Sequence, residues 1–221
     1  MLLTHVTVGT TDLDALERFH RDTLLLPVDR ISYTAIEVEV GTGTVRYEQR
    51  TQFAGAHHLA FSIAPEDFDQ AHAFLAERVD ISPSNGSSVV YSASLNSHSV
   101  YFNAPEGLIL EYIAHETHRG LGGIGGPPAP LGIAEVGIGV ADVEATVGEL
   151  ASRGLALSQP LEKAFATVGT IDHRLVLVDQ NRLWFPEMRD HPATDTSTIS
   201  IKADGAVTGR MSLDRADLVI T

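Results

Sequence analysis

No cysteine occurs among the 221 residues. That absence excludes disulfides, thiolate zinc sites and a thiol nucleophile. Basic residues are scarce. With 15 Lys and Arg against 29 Asp and Glu, the formal net charge is −14, which repels phosphate backbones and anionic lipid surfaces. Nucleic acid and membranes are therefore not expected partners. No apolar run approaches the ~20 residues of a membrane span, and Met1-Leu2-Leu3-Thr4-His5 lacks the basic start of a secretion signal. The expected location is the cytoplasm. Apolar residues make up 43% and charged residues 20%, an ordinary globular composition with chain enough for one large or two small cores.

What the chain does have is a repeat. Three strand-like runs begin alike: L-T-H-V-T-V-G-T-T-D-L-D from Leu3, H-H-L-A-F-S-I-A-P-E-D-F-D from His57, and I-A-E-V-G-I-G-V-A-D-V-E from Ile133. A helix-like pattern follows each, and Asp12, Asp67 and Asp142 stand where a helix N-terminus favours a carboxylate. In the first unit Tyr33 to Val40 alternates, Gly41-Thr42-Gly43 turns, and Thr44 to Gln49 returns, giving β-α-β-β-β. The second unit matches it, with strands at Ser99 to Asn103 and Leu108 to Ile113 around the turn Ala104-Pro105-Glu106-Gly107. Residues 120–132, G-L-G-G-I-G-G-P-P-A-P-L-G, read as a linker. It divides residues 1–119, a pair of repeats, from residues 133–221, a third repeat with strands at Arg174 to Val178 and Arg182 to Phe185. At the end, Thr198 to Lys202 and Val207 to Leu213 read as a hairpin turning at Asp204-Gly205. The expected fold is α+β: tandem βαβββ repeats in curved mixed sheets with outer helices, two repeats enclosing a metal pocket, and a third repeat beside them.

Alternation puts His5 with Thr7 and Gly9 on one strand face, and His58 with Ala60 and Ser62 on another. Aligning the last strands through Gly43 and Gly107 pairs Tyr47 with Glu111. Converging on a concave face, His5, His58 and Glu111 make the two-imidazole, one-carboxylate triad that suits Fe(II) or Mn(II) and leaves positions open for substrate and oxygen. Glu111 lies within L-I-L-E-Y-I, where an unpaired charge is costly and a metal would compensate it. Tyr101 and Tyr47 are candidates to donate hydrogen bonds to a bound oxyanion, although a strand tyrosine more often packs. His98 is a candidate acid or base. His57 is expected to face outward beside His58, exposed or covered by a helix, and His115, His118 and Arg119 to form a solvated polar run. In the third unit Glu135 stands at the position of His5, and turn alignment sets Phe185 at that of Glu111, so no second triad is expected there.

The stretches H-V-T-V-G-T-T-D-L-D-A-L-E-R-F-H with L-L-L-P, and H-L-A-F-S-I followed by Y-F-N-A-P-E-G-L-I-L-E-Y, resemble the vicinal oxygen chelate superfamily. It includes glyoxalase I, extradiol ring-cleaving dioxygenases and fosfomycin resistance enzymes. The resemblance covers residues 2 to about 115 well and the third unit less well. It implies metal ligation by His5, His58 and Glu111, a divalent metal (Fe, Mn, Ni or Zn), and a small-molecule substrate that chelates it through vicinal oxygens. Glyoxalase I usually adds a Glu in the last strand of its first unit. Here Tyr47 takes that place, with Glu48 one residue away and facing outward, so dioxygenase-like chemistry is favoured over a glyoxalase-like lyase or a thiol transferase. A metal-free binder similar to bleomycin resistance proteins is the reading from another class. A homodimer is expected, since an odd number of repeats leaves one concave surface without a partner.

Overall fold

A computed structural model describes residues 1–123 and 127–221. The first unit comprises β1 (Leu2–Thr10), α1 (Leu13–Arg18) continued by a π-helical turn at Phe19–Thr23, β2 (Val28–Ser32), β3 (Ala35–Val40) and β4 (Gly43–Gln49). The second comprises β5 (His58–Ser62), α2 (Phe68–Ala76), β6 (Ile81–Ser82), β7 (Val90–Ser92), β8 (Ser97–Asn103) and β9 (Ile109–His115). The third comprises β10 (Gly132–Val140), α3 (Val143–Ser152), β11 (Phe165–Gly169) and β12 (Arg174–Asp179). The chain ends with β13 (Ser197–Lys202), β14 (Gly209–Ser212) and β15 (Ala216–Ile220).

Local chemistry explains the helix starts. Asp12 and Asp142 each accept the backbone N–H three residues on, from Ala15 and Ala145, at 2.9 Å, satisfying a donor the helix itself leaves free. Asp67 departs from the pattern. Its carboxylate accepts from the Gly123 amide instead, and a 3-10 turn at Pro65–Asp67 leads into α2.

In every unit the first strand runs parallel to the last: β1 to β4, β5 to β9, and β10 to β12. The C-terminal strands repeat this relation, β13 lying parallel to β15 and β14 antiparallel to β15. They are a reduced fourth unit, without helix or second strand. The hairpin expected at Asp204-Gly205 is therefore not formed, because β13 already has β1 on one side and β15 on the other. The chain instead reverses after β14, where the Leu213 amide reaches the Ala216 carbonyl at 2.7 Å.

First strands also join the units, and here the pairing differs from expectation. β1 pairs antiparallel with β13, and β5 with β10. The first unit thus closes on the reduced fourth and the second on the third, one pair nested inside the other, while β1 and β10 meet at Leu3 and Ile133. Residues 1–119 are accordingly not a self-contained pair. Within the expected linker, the Gly120 and Gly122 amides donate to Glu66 and the Leu131 amide to the Ser62 carbonyl. Gly132 already belongs to β10, and residues 124–126 lie outside the described residues.

The helices cover the convex faces. Leu13 and Leu16 of α1, Leu75 of α2 and Leu150 of α3 join Val6, Phe61 and Ile138 in one continuous buried cluster. Such burial is worth about 1.5–3 kcal/mol for each large side chain. It consumes the apolar half of each alternating strand and leaves the other half for the concave faces.

Candidate metal centre

Between the second and third units the concave face encloses a cavity of about 280 Å³. Strand register decides which side chains enter it. His58 lies beside Ile109 and Ala60 beside Glu111; across the junction Ala60 faces Glu135, which lies beside Arg174. Alternation then brings His58, Tyr101, Glu111, Glu135 and Arg174 to the same face, and all five line the cavity.

Their contacts form a closed set. His58 Nε2 stands 3.2 Å from Glu111 Oε2. Donor atoms of His58, Glu111 and Glu135 all fall within 4.8 Å of one another. Arg174 is 1% exposed and turns both Nε, at 2.8 Å, and Nη2 onto a single oxygen of Glu135. Its remaining Nη1 donates to the Ile171 carbonyl at 3.1 Å. Burial works against ionisation of Glu135, but Arg174 and His58 together hold its carboxyl below the ordinary range. Tyr101 behaves oppositely. Burial first, then the charges of Glu111 and Glu135, raises its pKa well above the ordinary value, and its hydroxyl is hydrogen-bonded to Glu111. It remains a protonated donor.

The opposite wall comes from the irregular segment after β12. Trp184 packs 5.4 Å from His58 and donates Nε1 to the Ala56 carbonyl at 2.9 Å; Phe185 meets Tyr101 edge-on at 5.2 Å. A Cβ on Gly137 would lie 2.5 Å from the Trp184 ring and 2.9 Å from His58, so glycine there makes room for both.

One imidazole and two buried, converging carboxylates are donors that divalent metals accept. His58 Nδ1 is buried without a hydrogen-bond partner among the described residues, and Arg174 occupies one oxygen of Glu135 while leaving the other to the cavity. The residues present fit a metal ion.

His58, Glu111 and Tyr101 are thus brought together as the sequence reading had them, and His5 is not among them. It sits on β1 beside Thr44, with Nε2 3.2 Å from Thr7 Oγ1, on the sheet of the outer pair. Tyr47 points the other way, into the core, where its hydroxyl lies 2.9 Å from His20 Nε2 and it has no exposed surface. The alignment through turn glycines slipped because Gly43 begins β4 whereas Gly107 lies in a 3-10 turn two residues before β9. By register the equivalent of Glu111 is Arg46 in the first unit and Val176, not Phe185, in the third. Glu48, expected to face outward, shares the Arg46 face and accepts from Arg46 and Arg50. His98 lies on the opposite face of β8 from Tyr101, exposed and against Phe68 and Tyr91. His115, expected in a solvated run, is buried, and His57, expected either exposed or covered, is buried too. Arg182 to Phe185 forms no strand; the partner of β12 is β11.

Sequence reasoning missed Glu135, Arg174 and Trp184 as site residues. A signal existed for two of them: an acid inside I-A-E-V-G-I and a base opening R-L-V-L-V are opposite charges in apolar strands, each needing a partner.

No protein-family model matches the chain, and no curated protein matches it. Solved structures do. A candidate dioxygenase from Bacillus subtilis is 14% identical, with 100% of this chain and 85% of that one covered and a TM-score of 0.62. A single-site mutant of glyoxalase I from Zea mays is 13% identical, with 99% and 92% covered and a TM-score of 0.59. At these identities the likeness is one of fold, and it spans the whole chain. Parallel-closed βαβββ units, joined through their first strands around a concave cavity, give this chain the vicinal oxygen chelate fold.

Proposed function

We propose that this chain is a metal-dependent enzyme acting, between its second and third units, on a small molecule that presents two neighbouring oxygens. The observation that carries this reading is the buried convergence of His58, Glu111 and Glu135, which would hold one divalent ion. Such an ion supplies a Lewis acid that polarises substrate oxygens and stabilises negative charge developing on them. Tyr101 keeps its proton and donates it to Glu111, which orients that carboxylate. Arg174 keeps Glu135 ionised and fixes its orientation, as groups behind metal ligands do. Trp184 and Phe185 give these groups an apolar wall.

The sequence-based preference for dioxygenase-like chemistry needs two imidazoles and one carboxylate, whereas the cavity brings together one imidazole and two carboxylates. A Lewis acid that polarises a carbonyl acidifies the carbon beside it without any redox change at the ion, so lyase or isomerase chemistry is the reaction class we favour. Turnover that consumes oxygen would return the reading to a dioxygenase.

One observation supports the metal-free binder instead. His58 already faces Glu111 and Arg174 already faces Glu135 within hydrogen-bond distance, so each carboxylate has a basic partner without an ion. Metal analysis of protein purified without a histidine tag decides between them. The enzyme reading expects about one equivalent of divalent metal, lost in His58→Ala and Glu135→Gln while the fold persists; a metal-free protein, or full occupancy in both variants, sinks it.

A further inference from the structure

We infer that Arg182 forms an anion-reading subsite in the same cavity, and that the natural ligand is a flat, apolar-bodied molecule carrying a carboxylate or comparable anion away from its chelating oxygens. This rests on the cavity of the proposed function but not on the metal. Two guanidiniums line that cavity. Arg174 is fully committed to Glu135 and the Ile171 carbonyl. Arg182 has no carboxylate within ion-pair distance among the described residues, although acidic residues outnumber basic ones 29 to 15. It is half-buried and held in place, its guanidinium carbon 5.0 Å from the centre of the Phe165 ring, an arrangement that orients the fork without using its hydrogen-bond donors.

Between the two guanidiniums the walls are apolar and largely flat: Phe165, Val176, Val178, Trp184 and Phe185. A planar ring is the body such walls accommodate. The net charge of −14 repels anions at long range, so an anionic ligand needs a local cation, and Arg182 is the one in the cavity left free for it. Arg182 is thereby a specificity residue.

The chain's single tryptophan is Trp184, so its fluorescence reports binding in this cavity directly. Protocatechuate and its amide carry the same chelating diol and differ in the charge of the opposite end. Titrated into the Mn(II)-loaded protein and into metal-free protein, protocatechuate is expected to bind about tenfold or more tightly than the amide, the range of a charge-assisted hydrogen bond to an ionised group. In Arg182→Ala and Arg182→Gln the ratio of the two affinities falls to near one, and in Arg182→Lys it is partly kept. A wild-type ratio near one, a ratio preserved in Arg182→Ala, or failure of both compounds to perturb Trp184 overturns the inference. A ratio that depends on Arg182 but is the same with and without metal, in a protein that binds no metal stoichiometrically, upholds this subsite while sinking the enzyme reading.

Discussion

His20 and His57 have almost no contact with water, and they set how the fold responds to acid. Burial pushes His20 down to about 3; for His57 burial outweighs the nearby Asp195 and brings it to about 4. Both stay neutral when folded and would charge near the ordinary 6.5 once exposed. Below that pH the unfolded chain binds protons the folded one refuses, so stability is intact above about 6.5 and is lost as pH falls toward 4. Each fully buried imidazole costs about 2 kcal/mol at about pH 5. Thermal unfolding should show this as a Tm falling steeply between about pH 7 and pH 5. Replacing the buried pair together, as His20→Leu/Tyr47→Phe, removes both polar partners at once and should flatten that slope; an unchanged slope would show that His20 carries no part of it. Residues of this kind also mark how far the sequence could be read. His58, Glu111 and Tyr101 were legible because alternation and local context assign each to a strand face. Glu135 stands at a ligand-equivalent position, but the strand it meets, β5, is a partner no local pattern discloses.

Strands and helices were legible where their chemistry is local, as with Asp12 and Asp142 at helix starts. Residues 180–195 were not. That segment runs from β12 to β13 without regular structure, tied down by Trp184 to Ala56, by the Ala56 amide to the His191 carbonyl, and by Glu187, which accepts from Ser82 and Asn103. Its apolar Leu183-Trp184-Phe185 imitates a strand, but the Trp184 amide donates to the Asp190 carbonyl, and the Trp184 carbonyl accepts from the Met188 amide, inside the same segment rather than in a ladder. The fit against β10 depends on two glycines, Gly137 beneath Trp184 and Gly139 beneath Pro192. Gly137→Ala should therefore cost about 1–3 kcal/mol, as overpacked sites do, with a red-shifted Trp184 emission and weakened protocatechuate binding. A variant with native emission and native Tm would mean that the segment yields without displacing the tryptophan.

For the molecule as a whole, the homodimer expected from an odd repeat count loses that premise, since the C-terminal strands supply a fourth half-sheet. Nested pairing also means that cutting within residues 120–132 would take Glu135 and Arg174 with it, leaving His58 and Glu111 on half a cavity. Removing residues 196–221 is the milder cut. It strips β1 of β13 and exposes a long backbone edge, so the shortened chain should lose several degrees of Tm and self-associate on size exclusion. A monodisperse product with the parental Tm would show that β1 does not need its partner.

The same nesting has a consequence for the order of events during synthesis. A ribosome delivers β5 through β12 as one uninterrupted stretch, so the inner pair can close while the chain is still being made. β1 is made before β5, yet its antiparallel partner, Ser197–Lys202, follows β12. The first unit must therefore remain half-paired, with an open strand edge, until the inner pair has been made, and the burden of keeping that edge from neighbouring nascent chains falls on chaperones or on the speed with which the strand after β12 follows.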